Sequence, residues 1–373
     1  MITVKRVETA RERKNFINFP LKLYKGNEYF VPMLYAGEKT IFKDTYAYNK
    51  VCDVVFFNAY KDGQMAGRIQ GIIQTKANEK WNQKRIRFTR FDSINDQEVA
   101  NALFDAVVKW GKEKGMEEFV GPLGYSDLER EGLLIEGFDQ LQTYEEQYNY
   151  DYYQTLISNY GFEKDVDWVE YMLFPPKEKN EKLLRVSNQM LKRYELHFTQ
   201  AKSIREFIKK YANPLFEMID KTYARLYGTM PLNQEIVDML VKDFKLIVRA
   251  KDIVLIMDKN DKVVGFAVMF PSISDAVRKS NGHITLPFIY RFLKAKKKPR
   301  VIDLGLIGVL PEYESKGIAT AMIGSLIEYM EQEGFEHLET NLMLEHNAHI
   351  LNLMKHFDSR NNKRRRCYKL EIK

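Results

Sequence analysis

Residues 309–320 read Val-Leu-Pro-Glu-Tyr-Glu-Ser-Lys-Gly-Ile-Ala-Thr, and they form a short stretch between two regular patterns. The apolar run at 301–309 predicts a buried strand, and the helix-period spacing after Gly317 predicts a helix with one apolar face. The first N–H groups of a helix have no partner within the helix, and the helix dipole is positive at that end. A strand, a small-residue turn and a helix therefore predict a site for a phosphate-rich ligand.

Two common phosphate-binding motifs, the Walker loop and the G-x-G-x-x-G fingerprint, do not occur at this turn. Residues 314–319 instead resemble the acetyl-CoA loop of the GNAT N-acetyltransferases, in which Gln or Arg precedes a glycine by three positions. Here that first position is Glu314, which departs from the family pattern. The resemblance implies an acetyl-CoA site made largely of backbone amides, from Ile307, Val309, Glu314, Ser315, Lys316, Gly317, Ile318, Ala319, Thr320 and Asn347.

An internal repeat supports the resemblance. With an offset of 319 − 100 = 219 residues, Ala100 aligns with Ala319 and Gly115 with Gly334, without a gap. Each half has a hairpin pattern followed by a strand, a helix and a further strand. We therefore predict an α/β fold of the mixed-sheet (α+β) kind with two tandem GNAT-like acyl-CoA N-acyltransferase domains. Their predicted bounds are 1–176 and 177–373, because Pro175-Pro176 favours an extended linker.

The first copy is predicted to be degenerate. Gly317 aligns with Glu98, in a segment (92–99) that has no glycine and three carboxylates. These carboxylates would satisfy the positive helix end and repel a pyrophosphate. Ser93 or Asn95 is the expected helix N-cap there. Acetyl-CoA is thus predicted to bind only the second half, with the first half structural or acceptor-binding.

Acyl transfer to an amine needs a group that removes a proton from the amine. Histone-acetylating GNAT members carry a glutamate fourteen residues before the motif glycine, a position that holds Asp303 here (317 − 14 = 303). Asp303 is therefore a candidate base, although a strand carboxylate satisfied by a neighbouring loop would have the same pattern. Glu345, after the following strand, is the second candidate. A backbone amide near Val309 would polarise the thioester carbonyl.

The chain departs from the family pattern at the proton donor for the leaving thiolate. The tyrosine that many family members use aligns with Met354, which cannot donate a proton. Tyr368 and Cys367 are possible substitutes, as is water. A chain without this acid could also be a binding protein rather than an enzyme.

Bulk properties fit two domains in a reducing compartment. A chain of 373 residues, 45% hydrophobic, can bury two cores. Cys52 and Cys367 are the two cysteines and lack metal-ligand spacing, so we expect no metal and a cytoplasmic location. No apolar run approaches the ~18 residues of a membrane span. The first residues also lack the apolar core of a secretion signal.

The net charge of +7 is concentrated in two basic runs, at 294–300 and 363–366. Such runs can bind nucleic acid, or they can be solvated loops beside a cofactor that carries phosphates. No helix-turn-helix, zinc or RNA-recognition pattern is present, so nucleic acid is not the expected partner. The apolar and basic segment 286–293 could contact a membrane surface or pack as a helix over the second domain.

The predicted function is N-acetyl transfer from acetyl-CoA to an amine on a small molecule or peptide. One alternative is an aminoacyl or peptidyl transferase that resembles the Fem family, which also pairs two such domains and uses aminoacyl-tRNA. The other alternative is a non-catalytic CoA-binding or scaffold protein.

Overall fold

The computed structural model of the protein describes residues 1–178 and 181–372. The strands in these ranges form one mixed sheet, mostly antiparallel, against which helices pack. They are β1 (Ile2–Arg6), β2 (Cys52–Lys61), β3 (Gln64–Gln74), β4 (Arg85–Ser93), β5 (Glu118–Gly121), β6 (Leu133–Glu136), β7 (Glu163–Phe174), β8 (His197–Thr199), β9 (Ile253–Met257), β10 (Val263–Pro271), β11 (Val301–Val309), β12 (His337–Thr340), β13 (Met343–Leu344) and β14 (Asp358–Glu371).

The helices of the described residues include two long amphipathic ones that occupy equivalent places in the two halves. The apolar face predicted after Gly317 is buried, as expected for a helix packed on a sheet. The helices are α1 (Ala10–Leu23), α2 (Tyr35–Glu38), α3 (Thr75–Trp81), α4 (Gln97–Glu113), α5 (Tyr153–Tyr160), α6 (Glu181–Arg193), α7 (Ile204–Lys210), α8 (Ala212–Thr222), α9 (Gln234–Ile247), α10 (Ser274–Arg278), α11 (Leu286–Lys297), α12 (Ile318–Glu333) and α13 (Ala348–Met354).

The predicted tandem architecture is confirmed by the order of elements. The hairpin β2–β3, strand β4, helix α4 and strand β5 recur as β9–β10, β11, α12 and β12. The offset of 219 residues found in the sequence also separates equivalent strands of the structure, since β5 begins at Glu118 and β12 at His337 (337 − 118 = 219). Gly67 shows why the repeat keeps a glycine in its second strand. A Cβ atom there would lie 2.8 Å from the Leu103 side chain of α4.

The two halves exchange their last strands. The sheet runs β1-β2-β3-β4-β5-β14-β7-β12-β11-β10-β9-β8, so β14 of the second half lies beside β5 of the first. Conversely, β7 of the first half pairs with β12 and β13 of the second. Strands β7 and β14 also pair with each other from Glu163↔Lys369 to Phe174↔Asp358. Each half therefore depends on a strand of the other to complete its part of the sheet.

The basic run at 363–366 is part of this exchange. Lys363 and Arg365 are buried on one face of β14, where Lys363 contacts Glu339 at 2.7 Å and Arg365 contacts Glu170 at 2.5 Å. Burial opposes the charge of Lys363, but Glu170 and Glu339 outweigh that effect and raise its pKa. Charges paired in this way are not available to nucleic acid, so the run joins the two halves instead.

The candidate functional site lies where two neighbouring strands of the second half separate. Strands β11 and β12 are parallel neighbours only over Val301–Leu304 and His337–Thr340. After that point the chain turns away, and β13 pairs with β7 instead of β11. The second part of β11 thus has β10 on one side and an opening on the other.

Candidate functional site

A cavity of about 220 Å³ lies at this opening and is lined by both halves. The second half supplies residues 304–309 of β11, residues 340–344 and parts of α12 and α13. The first half supplies two acidic segments, at 127–131 and 145–146. The cavity therefore has one wall of open strand and apolar side chains and a facing wall of carboxylates.

Tyr223 covers part of the open edge of β11. Its hydroxyl donates to the Ile307 carbonyl at 3.1 Å and accepts from the Ile307 N–H at 3.2 Å. Burial raises the pKa of Tyr223, so the hydroxyl stays protonated at neutral pH. The backbone of Ile307 is thus satisfied by a side chain at the place where a neighbouring strand would otherwise bind.

The N-terminus of α12 fits the phosphates of a CoA-type ligand. Gly317 adopts φ +72°, and no side chain of the described residues caps the helix. In the equivalent helix α4, Asp96 is the N-cap and accepts from the N–H groups of Glu98 and Val99 at 3.0 and 3.2 Å. The expected cap at Ser93 or Asn95 is wrong, because Asp96 takes that place. The first copy thus satisfies with its own carboxylate the groups that the second copy leaves open.

The structure places the predicted cofactor residues in two groups. The cavity is lined by Ile307, Val309, Glu314, Ala319 and Asn347. Lys316, Gly317, Ile318 and Thr320 belong to the turn and to the first turn of α12.

Several of these side chains are buried or already make contacts within the protein. Ile318 and Ala319 are buried in the core, so only their backbone can face a ligand. The ammonium of Lys316 lies 4.2 Å from the centre of the Tyr313 ring. Asn347 caps α13 by accepting from the Ile350 N–H at 3.3 Å. The side chain of Ser315 lies outside the described part of the structure.

Asp303 lies in the sheet beside the cavity, and it is not among the residues that line it. Its side chain is 4% exposed, and neither carboxylate oxygen has a hydrogen-bond partner among the described residues. Burial, followed by the nearby Glu339 carboxylate, raises the pKa of Asp303 well above its usual range. The Ser272 hydroxyl is near enough to oppose this shift but is not in hydrogen-bonding geometry. Asp303 is therefore a buried carboxyl group whose surroundings favour the protonated form.

This environment predicts a pH-dependent stability effect of Asp303→Asn. The folded-state pKa is raised above the unfolded value of about 3.9. The contribution of Asp303 to stability is therefore fully present below pH ~4 and lost as the pH rises through the folded-state pKa. Between pH ~4 and the folded-state pKa, the unfolding free energy of the variant should therefore rise relative to that of wild type, by up to about 1.4 kcal/mol per pH unit. Urea unfolding at a series of pH values measures the difference, with exposed Asp139→Asn as the control.

A constant difference across the pH series would contradict a raised pKa of Asp303. The same variant also tests whether Asp303 acts as the base. In that case kcat should fall by about 10²–10⁴ while CoA affinity is unchanged. Normal turnover would remove Asp303 from the mechanism.

The structure does not bring Glu345 to the cavity. Its carboxylate forms ion pairs with Lys164 at 2.5 Å and Arg364 at 2.8 Å, beside Asp167. The hydrogen bond from Lys164 lowers the pKa of Glu345, and the one from Arg364 adds to the effect. This ion-pair cluster explains the position of Glu345 without a catalytic role.

The proton donors considered from sequence also lie elsewhere. Cys367 and Tyr368 are buried and do not line the cavity, whereas Met354 does. Two hydroxyls that the sequence analysis did not consider, those of Tyr223 and Tyr227, line the cavity instead. Tyr227 donates to Asp165 at 2.5 Å. Tyr223 is thus the hydroxyl placed against the open strand.

The acidic wall was missed by the sequence analysis. Burial raises the pKa of Asp127 to about 6 and that of Glu145 to about 7. Glu131 is 7% exposed, and burial together with the Asp127 and Glu146 carboxylates raises its pKa well above the usual range. Asp127, Glu131 and Glu145 form no ion pair with any residue that the structure describes. Unpaired carboxylates with raised pKa values at a cavity are typical of functional sites.

A sequence signal for this wall existed. The segments 121–125 and 132–139 have the glycine-rich pattern of loops, and three acids lie between them, at 127, 129 and 131. Glu129 is used internally, because it accepts from Tyr125 N–H and from the Tyr46 hydroxyl, both at 3.1 Å. Which of these acids face a cavity follows only from the folded loops.

Two further features are absent from the described ranges. No helix there is long and apolar enough to cross a membrane. No group of three or more potential ligands there could hold a metal ion.

Comparisons with known proteins agree with this architecture. Residues 216–358 match the family model of the Acetyltransferase (GNAT) family. Protein YghO of Escherichia coli (strain K12) is 26% identical over 375 residues, which cover 96% of this chain and 93% of that protein. The Bacterial ceramide synthase of Caulobacter vibrioides (strain NA1000 / CB15N) is 22% identical, over 83% of this chain and 80% of that protein.

Solved structures are similar over the whole length. A tandem GNAT protein from the clavulanic acid biosynthesis pathway has a TM-score of 0.59 at 8% identity, and covers 100% of this chain and 99% of its own. A GCN5-related N-acetyltransferase from Sphaerobacter thermophilus has a TM-score of 0.51 at 10% identity, with 100% and 96% covered. The chain therefore has a tandem GNAT fold, and its residues 216–358 match the model of the acetyltransferase (GNAT) family.

Proposed function

We propose that the protein is an N-acyltransferase that moves an acetyl or longer acyl group from acyl-CoA to an amine. One observation carries the proposal: the open edge of β11 and the uncapped end of α12 share a cavity with unpaired carboxylates. The open strand edge and the uncapped helix end would bind a thioester donor, and the carboxylates would attract a positively charged amine.

The proposed donor site uses the residues named from the family resemblance. The N–H groups of Gly317, Ile318, Ala319 and Thr320 would bind the CoA phosphates, and the backbone of Val309 would bind the rest of the ligand. Ile307 lines the same wall, with its backbone held by Tyr223. Glu314, Ser315, Lys316 and Asn347 complete the proposed set. When bound, acyl-CoA supplies an activated acyl carbon, and a β11 amide near Val309 would stabilise its carbonyl oxygen.

We assign the acceptor site and the base to the acidic wall. An amine enters as an ammonium ion attracted by the carboxylates of Asp127 and Glu145, beside Glu131, and Glu145 takes its proton. A pKa of about 7 suits Glu145 to this role, since a base works best when its pKa is near the working pH. The new N–C bond forms as the C–S bond breaks. We assign proton delivery to the sulfur to Tyr223, the hydroxyl against the open strand. The nitrogen releases its second proton as the amide forms, and this proton restores the Tyr223 hydroxyl.

The apolar part of the cavity favours an amine attached to a hydrocarbon chain. Beside the carboxylates the cavity is lined by Leu226, Leu304, Leu306, Met343 and Leu353. The name of one relative, Bacterial ceramide synthase, points the same way, because a ceramide is an N-acylated lipid amine. An amphiphilic amine is therefore the acceptor class that we propose within the broader prediction of a small-molecule or peptide amine.

A direct assay tests the function. The purified protein is incubated with acetyl-CoA or a long-chain acyl-CoA and with a long-chain amine, a short polar amine or a lysine peptide. Free thiol reports CoA release, and mass spectrometry identifies the amide. We expect turnover with an amine and none with the alcohol of the same chain length. CoA binding without release for any amine would favour the CoA-binding or scaffold alternative.

The Fem-like alternative loses one of its supports. It would need an open basic surface between the halves for tRNA, but the run at 363–366 there is held in ion pairs. Retained tRNA on the purified protein would reinstate it. We also keep the prediction of a cytoplasmic location, which the two free cysteines, Cys52 and Cys367, support.

Gly317→Glu should abolish most CoA binding. The substitution places a carboxylate where the phosphates are expected, and the positive φ of +72° adds strain. Calorimetric titration of wild type should show one site per chain, and the variant should bind at least about tenfold more weakly, equal to about 1.4 kcal/mol.

Gly334→Glu is the matched control for this variant. Gly334 ends the same helix with φ +69°. A Cβ atom at this position would meet no other part of the protein within 4 Å. It therefore has similar backbone strain and the same added charge, far from the proposed phosphate site. Equal binding by Gly317→Glu and wild type, or two equal sites per chain, would refute a single CoA site at α12.

A further inference from the structure

Helix α11 carries an apolar face that points into solvent. Leu286, Tyr290 and Leu293 are 83%, 69% and 57% exposed, and Ile289 is also exposed. Their spacing of i, i+3, i+4 and i+7 places them on one side of the helix. Ile284, just before the helix, is exposed as well. We call Ile284, Leu286, Ile289, Tyr290 and Leu293 the apolar ridge.

The orientation of the helix is set by its other face. Phe288 is buried, and together with the partly buried Phe292 it packs on Val31, Ile273 and Val277. Thr285 caps the helix by accepting from the Phe288 N–H at 3.3 Å, with a proline in the first turn. The Lys296 ammonium donates to the Leu246 carbonyl at 2.6 Å. The ridge is therefore held outward by its own packing, because the inward face already has an apolar partner.

Unpaired positive charge lies at the end of the ridge. Lys294, Lys297 and Lys298 are exposed and, with Arg291, form no ion pair with any described residue. The first turn of α11 contains no acidic residue. An exposed apolar stripe next to lysines and arginine is the pattern of a helix that lies in the headgroup region of a bilayer. Contiguous apolar residues on a protein surface mark interaction sites.

We propose that the apolar ridge and the lysines after it dock the protein on an anionic membrane surface. The ridge inserts among the acyl chains at the interface, and the lysines and Arg291 contact lipid phosphates. A second copy of the chain could cover the ridge but would bring it no negative charge, because its own α11 has none to offer. Charge complementarity therefore favours the anionic bilayer.

Docking at this place would bring a membrane close to the cavity. The cluster that anchors Phe288 includes Tyr144, the residue before Glu145 in the acidic wall. Docking to a membrane does not depend on catalysis, so lipid binding can be tested separately from the proposed reaction.

Vesicle co-sedimentation tests the proposal. The protein is mixed with vesicles of phosphatidylcholine alone or with added phosphatidylglycerol, at low and high salt. We expect binding only to the anionic vesicles, weakened by salt. Leu286→Gln combined with Leu293→Gln should weaken it at least about tenfold. The triple change of Lys294, Lys297 and Lys298 to Gln should weaken it by roughly fivefold per lysine.

Matched controls separate the ridge from general charge and folding. Phe198→Gln removes another exposed apolar residue, and changing Lys22, Lys109 and Lys209 to Gln removes the same charge from other surfaces. Both controls should bind vesicles like wild type, and circular dichroism should show every variant folded. No binding to anionic vesicles, or equal loss in variants and controls, would overturn the proposal. So would a dimer in solution that the Leu286 and Leu293 changes dissociate, since a second copy would then cover the ridge.

Discussion

Glu145→Gln should lower kcat by about 10²–10⁴, the typical contribution of a general base, with little effect on CoA affinity. Glutamine keeps the size of the side chain but cannot accept the amine proton. In wild type the rate should rise as the pH increases through about 7, because burial raises the pKa of Glu145 to that value and only the ionised form is active. This limb of the pH profile should be absent in the variant. Thiol release at a series of pH values measures both effects.

Glu163→Gln is the control for this result. Glu163 is exposed at the start of β7 and does not line the cavity. The Glu163→Gln substitution removes the same charge from the same half and should leave the rate and its pH profile unchanged. A Glu145→Gln variant that keeps the wild-type limb near pH 7 would show that another group titrates there. Asp127, whose pKa is raised to about 6, would then be the next candidate.

Chains 1–176 and 177–373, expressed separately, should each fail to fold, whereas the two co-expressed should form a folded complex. Alone, the first chain would carry β7 without β14 and β12, and the second would carry β14 without β5 and β7. Separation would also leave Lys363 and Arg365 without Glu170 and leave buried charges unpaired. Breaking one buried pair costs about 3–5 kcal/mol. This is a large share of the roughly 5–15 kcal/mol that stabilises a typical domain.

Circular dichroism, size-exclusion chromatography and thermal unfolding distinguish these outcomes. Limited proteolysis of the intact chain is the companion test. The linker near residue 176 should resist cutting, and fragments produced there should still elute as one species, because β7 and β14 remain paired. Release of two stable halves, with full activity in the second alone, would contradict both the interdependence of the halves and the shared cavity.

The tandem fold could be predicted from sequence because its evidence is local and repeated. The strand, turn and helix around Gly317 depend on backbone chemistry within a few residues. The offset of 219 residues then places the equivalent helix and strand in the first half, as for β5 and β12 (337 − 118). Such periodic patterns report which face of an element is apolar, and this is sufficient to predict the same unit of hairpin, strand, helix and strand in both halves.

The strand exchange could not be predicted in the same way. Strands β7 and β14 have similar lengths and positions in their own halves, so the sequence is compatible with either partner. The choice is made by long-range pairing, and by buried ion pairs such as Arg365 with Glu170, which are 195 residues apart. The role of the basic run at 363–366 could not be assigned from the sequence for the same reason.

The sequence by itself determined the fold of each half, the turn at Gly317 and the asymmetry between the two helix N-termini, because these depend on neighbours in the chain. Only the tertiary structure decided that Asp127, Glu131 and Glu145 face β11, and that Asp303 is buried beside the cavity. It also decided that the apolar residues of α11 at positions 286, 289, 290 and 293 point outward. Burial, and with it the pKa of a carboxyl or the exposure of a leucine, is set by residues distant in sequence.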